Sequence, residues 1–91
     1  MPSSPDSWYV YMVRCRDNTI YTGIAKDLAK RLAEHNSADR GAKYTRGRRP
    51  VVLIYHEEVS CRSAAAQREN RIKRLPRSGK ESLAATPSRL R

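Results

Sequence analysis

The chain has 91 residues, 38% hydrophobic and 31% charged, with 19 Lys and Arg against 9 Asp and Glu and a net charge of +10. This length predicts one domain with one core. No apolar run approaches the length of about 18 residues that spans a bilayer, and the two cysteines lack the spacing of a zinc site or disulfide framework. The positive charge indicates a polyanionic partner, and nucleic acid is favoured over a membrane surface because the basic residues are spread along the whole chain.

The N-terminal third predicts a β-hairpin. Residues 1–7 have the Pro and Ser content of a disordered lead-in, without a signal-peptide pattern, so we expect a cytoplasmic protein. Residues 8–15 are almost continuously apolar, which predicts a strand covered on both faces near the middle of its sheet. A turn follows in which Asn18 can adopt the left-handed conformation, and residues 19–23 return as the second strand.

The next segment predicts an amphipathic helix. Asp27 is the expected N-cap, and the helix is expected to end near Asn36. At 100° per residue, Arg31 and His35 fall on the margin of the apolar stripe rather than on the solvated face. That stripe consists of Leu28 and Leu32.

Residues 37–50 predict a long basic loop. Its expected nucleic-acid-binding side chains are Lys43, Tyr44, Arg46, Arg48 and Arg49.

The C-terminal half predicts one more strand and two helices. Residues 51–59 form the strand, and residues 60–75 form a helix with Ser60 or Ser63 as its cap, which Pro76 ends. Residues 77–85 predict a short helix. The sum is an α+β fold of order β-β-α-β-α-α, a three-stranded antiparallel sheet flanked by helices, in a single domain over residues 8–84 with a basic tail.

Four polar side chains on the hairpin and first helix are candidates for chemistry. Tyr11 and Tyr21 lie on the two hairpin strands, close enough to be cross-strand neighbours, although most strand tyrosines only pack. Arg31 is either a side chain with a buried stem and exposed charge or a guanidinium presented to phosphate. His35 is either a residue suited to the helix C-terminus or part of the same site.

Glu69 is the candidate metal ligand. It lies at the margin of the second long helix, whose inner face is expected to contain Cys61, Ala65, Arg68 and Ile72. Its alternative role is an i,i+4 ion pair with Lys73, worth about 0.3–0.5 kcal/mol. As a ligand it would suit Mg²⁺, which keeps most of its waters and needs few carboxylates.

Together these residues resemble the GIY-YIG nuclease domain family. Tyr9-Val10-Tyr11 matches the first motif and Tyr21-Thr22-Gly23 the second, and Arg31 is followed by His35 as in the helix motif. Glu69 stands where the family has its metal-binding glutamate. The chain departs from the family pattern at Tyr9, where many members have Gly, and at Thr22, where Ile or Val is usual. It also has no clear match to the Asn that many members carry after the metal-binding helix.

This resemblance covers most of the chain. Within the family, the chain is similar to the small standalone bacterial branch. The resemblance implies a function. The expected activity is Mg²⁺- or Mn²⁺-dependent hydrolysis of DNA phosphodiester bonds, at branched, damaged or single-stranded regions, with a protein partner directing so small a domain. Its expected site residues are Tyr11, Tyr21, Arg31, His35 and Glu69, with Tyr11 as the base and its pKa lowered by nearby cations. The alternatives are a non-catalytic nucleic-acid-binding module on the same fold and, more weakly, a small RNA-binding protein.

Overall fold

A three-stranded antiparallel sheet lies at the centre of the molecule. The computed structural model describes residues 7–36 and 49–85. The strands β1 (Trp8–Arg14), β2 (Ile20–Ala25) and β3 (Val52–Val59) are arranged in the order β2-β1-β3. The prediction that the first strand is the middle one is confirmed, because only a strand covered on both faces can be apolar at nearly every position.

The β1–β2 hairpin has the predicted turn and a longer second strand. Asn18 has a φ of 71°, as expected, and Thr19 donates from both its backbone N and its Oγ1 to Asp17 Oδ1. The prediction that β2 ends at Gly23 is wrong. Pairing with β1 continues to the match of Tyr9 with Ala25, and this ladder keeps the backbone extended.

Helix α1 (Leu28–His35) begins where the sequence predicts. The Asp27 side chain accepts a hydrogen bond from the Lys30 backbone N at 3.0 Å, the expected N-cap geometry. At the other end, Asn36 Nδ2 donates to the Val51 carbonyl at 3.2 Å, and the Val51 N donates to Asn36 Oδ1 at 2.7 Å. These two hydrogen bonds fix the end of α1 to the start of β3.

Two further helices, α2 (Arg62–Lys73) and α3 (Arg77–Ala85), follow β3. The prediction of Ser60 or Ser63 as the α2 cap is wrong, because the N-cap is Cys61, whose side chain makes no capping hydrogen bond. Cys61 is therefore exposed instead of lying on the inner face. As predicted, α2 ends before Pro76.

The sheet separates two apolar clusters. On one face, α1 packs on Tyr11, Val13, Cys15, Ala25 and Val51 through Leu28 and Leu32. On the other face, α2 and α3 cover Val10 and Met12 with Ala65, Ile72, Leu83 and Ala84. The fold is α+β with the predicted element order.

Three predicted segments lie wholly or largely outside the described residues: the lead-in, most of the basic loop and the C-terminal tail. Ser7, predicted in the lead-in, is buried and donates from Oγ to Glu58 Oε2. In the part of the chain that the structure describes, no helix is long and apolar enough to cross a membrane.

Candidate active site

A buried contact between Tyr11 and His35 forms the centre of the candidate site. Tyr11 lies on the middle strand and is 1% exposed, while His35 ends α1 and is fully buried. Tyr11 Oη and His35 Nε2 are 2.7 Å apart. The prediction that His35 lies at the margin of the helix stripe is therefore wrong, because the Tyr11 hydroxyl supplies the polar partner that permits burial.

Two residues of β2 determine the position of the Tyr11 ring. Gly23 is the antiparallel partner of Tyr11, and a Cβ atom at Gly23 would be 2.6 Å from Tyr11 Oη and 2.8 Å from its Cζ. The ring of Tyr11 therefore extends across the glycine, toward β2. Tyr21 pairs with Val13, so the two tyrosines are diagonal neighbours across the two strands, in keeping with the predicted cross-strand neighbourhood. Both rings pack edge-on against His35, with centroids 5.8 Å and 5.4 Å away.

Arg31 brings a positive charge to this contact. It lies one turn before His35 on α1, with its side chain 30% exposed and Nη1 2.9 Å from Glu34 Oε1. Its guanidinium also hydrogen bonds with the Tyr11 hydroxyl. Arg31 thus has the partly buried stem that the structural interpretation predicted. It also contacts Tyr11 at the centre of the site, where the alternative interpretation would have it meet phosphate.

Glu69 approaches the site from the opposite layer of the molecule. Its helix α2 packs on the far face of the sheet, yet its carboxylate is near enough to Tyr11 to disfavour ionisation of that hydroxyl. The side chain is 19% exposed and its Oε2 is 3.1 Å from Lys73 Nζ, the alternative pairing considered from the sequence. Arg31 therefore acts on the Tyr11 hydroxyl directly, and Glu69 acts on it only through its charge.

A polar cluster on β3 holds α2 in this orientation. Arg68 Nε donates to Glu57 Oε2 at 2.8 Å, and Tyr55 Oη donates to Glu57 Oε1 at 2.5 Å. Because consecutive helical residues are 100° apart, fixing Arg68 toward β3 also fixes the direction of Glu69. Arg68, predicted on the inner face, is in fact this half-exposed anchor.

Burial makes the Tyr11 hydroxyl a weak acid. It raises the pKa of Tyr11 to about 12, and the hydrogen bond from Arg31 opposes this change without reversing it. The expectation that nearby cations lower this pKa is therefore wrong for the protein alone. The free energy lost when the phenolate is removed from water is larger than the stabilisation that one half-exposed guanidinium provides.

The neighbouring imidazole is held neutral. Burial, assisted by the charge of Arg31, lowers the pKa of His35 to about 4. At neutral pH the Tyr11 hydroxyl carries its proton and His35 carries no charge, so Tyr11 can donate to Nε2 while Arg31 donates to Tyr11 Oη. The three side chains form a directed chain of hydrogen bonds that ends on His35 Nε2, the nitrogen that carries no proton in this arrangement.

The predicted loop contacts lie mostly beyond what the structure describes. Of that group, Arg49 is described and is half-buried just before β3. The other four residues fall outside the described ranges: Lys43, Tyr44, Arg46 and Arg48.

Comparison with known proteins identifies the family. A family model described as the GIY-YIG catalytic domain matches residues 7–82. The chain belongs to the GIY-YIG family. This membership, predicted from the motifs, accounts for the joint occurrence of the tyrosines on β1 and β2, the arginine on α1 and the glutamate on α2.

The relatives of this GIY-YIG protein are small bacterial and archaeal proteins. A UPF0213 protein of Desulfotalea psychrophila is 51% identical over 77 residues, which cover 85% of this chain and 70% of that protein. A UPF0213 protein of Natronomonas pharaonis is also 51% identical over 77 residues, covering 85% and 89%.

Two solution NMR structures have a similar fold. A UPF0213 protein from Bacillus halodurans is 37% identical with a TM-score of 0.56, and the match covers 87% of this chain and 83% of that one. A protein from E. faecalis is 40% identical with a TM-score of 0.59, covering 85% and 81%.

The role of Gly23 as the position over which the Tyr11 ring lies was not predicted from the sequence. A signal was available, because a glycine inside a strand often marks a close approach by another group. The contact by which the Asn36 side chain fixes α1 to β3 was not predicted either, because no local pattern indicates it.

Proposed function

We propose that this protein is a metal-dependent endonuclease that hydrolyses DNA phosphodiester bonds. The observation that carries the proposal is the buried contact between the Tyr11 hydroxyl and His35, on which the charges of Arg31 and Glu69 also act. A buried tyrosine–histidine hydrogen bond beside a guanidinium is more than packing requires, because each buried polar group costs free energy. Membership of the GIY-YIG family supports a nuclease chemistry for them.

Tyr11 and His35 would remove the proton from the attacking water. With its pKa raised to about 12, Tyr11 cannot act as a free phenolate at neutral pH. It can accept the water proton at Oη while its own proton passes over the 2.7 Å contact to His35 Nε2. The water O–H bond breaks, Tyr11 stays neutral, and His35 becomes the imidazolium. His35 is thus the proton acceptor and Tyr11 the relay.

Arg31 would stabilise the transition state. Its guanidinium already donates to Tyr11 and lies one helical turn from His35. Its planar donor fork suits the non-bridging phosphate oxygens on which charge grows. Tyr21, whose ring packs on His35, would keep the imidazole oriented toward Tyr11.

Glu69 is the residue that would hold the divalent cation. Its side chain is 19% exposed, and a single accessible carboxylate suits Mg²⁺ or Mn²⁺, which take oxygen ligands and keep several waters. Glu69 Oε2 now pairs with the Lys73 ammonium at 3.1 Å, and a bound metal would replace this ion pair. When bound, the metal would supply polarisation of the scissile phosphate and stabilisation of the leaving 3′ oxygen.

The basic residues of the chain would bind the nucleic-acid backbone. The net charge of +10 favours polyanions over any other partner class. The five side chains predicted as contacts would serve a branched or single-stranded DNA in the cytoplasm: Lys43, Tyr44, Arg46, Arg48 and Arg49.

A cleavage and metal-binding experiment tests this function. The protein is incubated with flapped, branched, single-stranded and duplex DNA and with RNA, in Mg²⁺, Mn²⁺ or EDTA. We expect cleavage of DNA that EDTA abolishes and that Glu69→Gln reduces about a hundredfold or more. Calorimetric Mn²⁺ binding should be lost in the same variant.

Glu81→Gln is the matched control, because Glu81 is an acid paired with Arg14 and Arg77 and does not belong to the site. Absence of cleavage on every substrate, or cleavage by Glu69→Gln at the wild-type rate, contradicts the nuclease function. Salt-sensitive binding that survives Glu69→Gln without cleavage would instead identify a non-catalytic module.

A further inference from the structure

Two aromatic side chains lie beside the candidate site on the same face of the sheet. Tyr9 on β1 and His56 on β3 have ring centroids 6.3 Å apart with an interplanar angle of 65°. His56 is the antiparallel partner of Tyr11, so their side chains share a face. Tyr9 precedes Tyr11 by two residues, about 7 Å along the strand, and lies on that face as well.

Both side chains are at least partly exposed. The Tyr11 ring extends across Gly23 toward β2, which leaves the space above β3 unfilled by Tyr11. The leucines of α1 pack on the cluster of Tyr11, Val13, Cys15, Ala25 and Val51, and neither Tyr9 nor His56 belongs to it. His56 is accordingly exposed and Tyr9 half-buried.

The charge at this position disfavours a phosphate and favours a neutral ring. Glu58 pairs with Tyr9 across the two strands, and its Oε2 accepts a hydrogen bond from Ser7. An exposed carboxylate beside Tyr9 repels the nucleic-acid backbone. A base carries no such charge and has a π-face that stacks on aromatic side chains.

We propose that Tyr9 and His56 form a stacking subsite for one unpaired base of the substrate strand. Because the two rings are inclined, the base stacks on one ring and meets the other with its edge. A base inside a duplex has both faces covered by its neighbours, so the subsite selects single-stranded or splayed DNA. The inference rests on the proposed function for the position of the phosphate, which would lie one nucleotide away beside Tyr11.

Abasic substitution tests the subsite. Binding of a short single-stranded oligothymidylate is measured in EDTA by fluorescence anisotropy, with one abasic residue moved through successive positions. For the wild type, we expect one position at which loss of the base weakens binding about five- to 150-fold. We call the factor by which loss of this base weakens binding the abasic penalty. In Tyr9→Leu the abasic penalty should fall close to one, because the stacking partner is already absent.

Three further variants separate stacking from other effects. Tyr9→Phe keeps the ring and should restore the penalty relative to Tyr9→Leu. His56→Ala alters an exposed side chain and should reduce the penalty even if Tyr9→Leu does not fold. Val52→Ala, at an exposed position of the same strand, is the control and should retain it.

The possible outcomes distinguish the two proposals. If the penalty is absent in the wild type or undiminished in both Tyr9→Leu and His56→Ala, the subsite is wrong, even when the protein cleaves DNA. If the penalty depends on Tyr9 or His56 but no substrate is cut, the subsite stands and the endonuclease activity is wrong.

Discussion

Tyr11 Oη and His35 Nε2 are 2.7 Å apart in a contact that is closed to solvent. A hydroxyl with a pKa near 12 thus faces an imidazole with a pKa near 4. Both groups are held uncharged at neutral pH, and the proton can move only toward His35 when a new proton arrives at Tyr11. The pair therefore suits the proposed proton relay better than a pre-formed phenolate.

Tyr11→Phe removes the relay and keeps the ring. We expect cleavage to fall by about 10²–10⁴-fold, and the free energy of unfolding to fall by about 1–3 kcal/mol because His35 loses a buried partner. Initial cleavage rates and urea denaturation measure the two effects. Tyr55→Phe is the control, since that hydroxyl bonds to Glu57 outside the site. A Tyr11→Phe protein that cuts like the wild type would exclude the relay.

The stability of the protein should depend on pH through His35. Arg31 and Glu34 are its charged neighbours, and burial with Arg31 lowers its pKa to about 4, against about 6.5 when unfolded. The unfolded chain therefore binds more protons between these values, so the free energy of unfolding rises with pH in this window. Neutral His35 contributes about 3 kcal/mol to the free energy of unfolding. This contribution is complete above pH 6.5 and is lost as pH falls toward 4.

An NMR titration measures this pKa directly. The chain has two histidines, so His56→Gln leaves the imidazole signal of His35 alone. That signal should titrate near pH 4. A midpoint near 6.5 would mean that His35 is accessible to water and that the buried relay is absent.

Gly23→Ala should displace the Tyr11 ring. The new Cβ would be 2.6 Å from Tyr11 Oη and 3.1 Å from Tyr21 Cε2, closer than packed atoms tolerate, so we expect a loss of about 1–3 kcal/mol in unfolding free energy. Urea denaturation gives the value. Gly79→Ala is the matched control: its Cβ would be 3.3 Å from Leu75 Cβ, and alanine favours the helix. Equal effects of the two substitutions would contradict the close approach at Gly23.

Thr22→Val should stabilise the protein. Thr22 is buried, and its Oγ1 has no hydrogen-bond partner in the described structure, so the hydroxyl loses its hydration without compensation. Valine has nearly the same shape, and we expect a gain of about 1 kcal/mol, or about 4–8 °C in Tm. Thr19→Val is the control, because Thr19 Oγ1 donates to Asp17; it should not stabilise. A lower Tm for Thr22→Val would show that the hydroxyl is satisfied.

The element order and the family were predictable from the sequence because both depend on local patterns. The apolar run of β1 predicted the central strand, and Asp27 predicted the start of α1, since an N-cap interacts within one helical turn. The motifs on β1, β2, α1 and α2 predicted GIY-YIG membership. Even the departure at Thr22 was visible, and the structure supplies its consequence in an unsatisfied hydroxyl.

Tertiary packing alone decided how those residues act together. His35 is buried because Tyr11 extends across Gly23 to meet it, and the charge of Glu69, on a helix packed against the opposite face, acts on the same hydroxyl. Neither relation produces a periodic pattern in the sequence, because each joins residues more than twenty positions apart. The protonation states follow the same division: the sequence supplied the ionisable groups, and burial, a property of the folded chain, determined their pKa values.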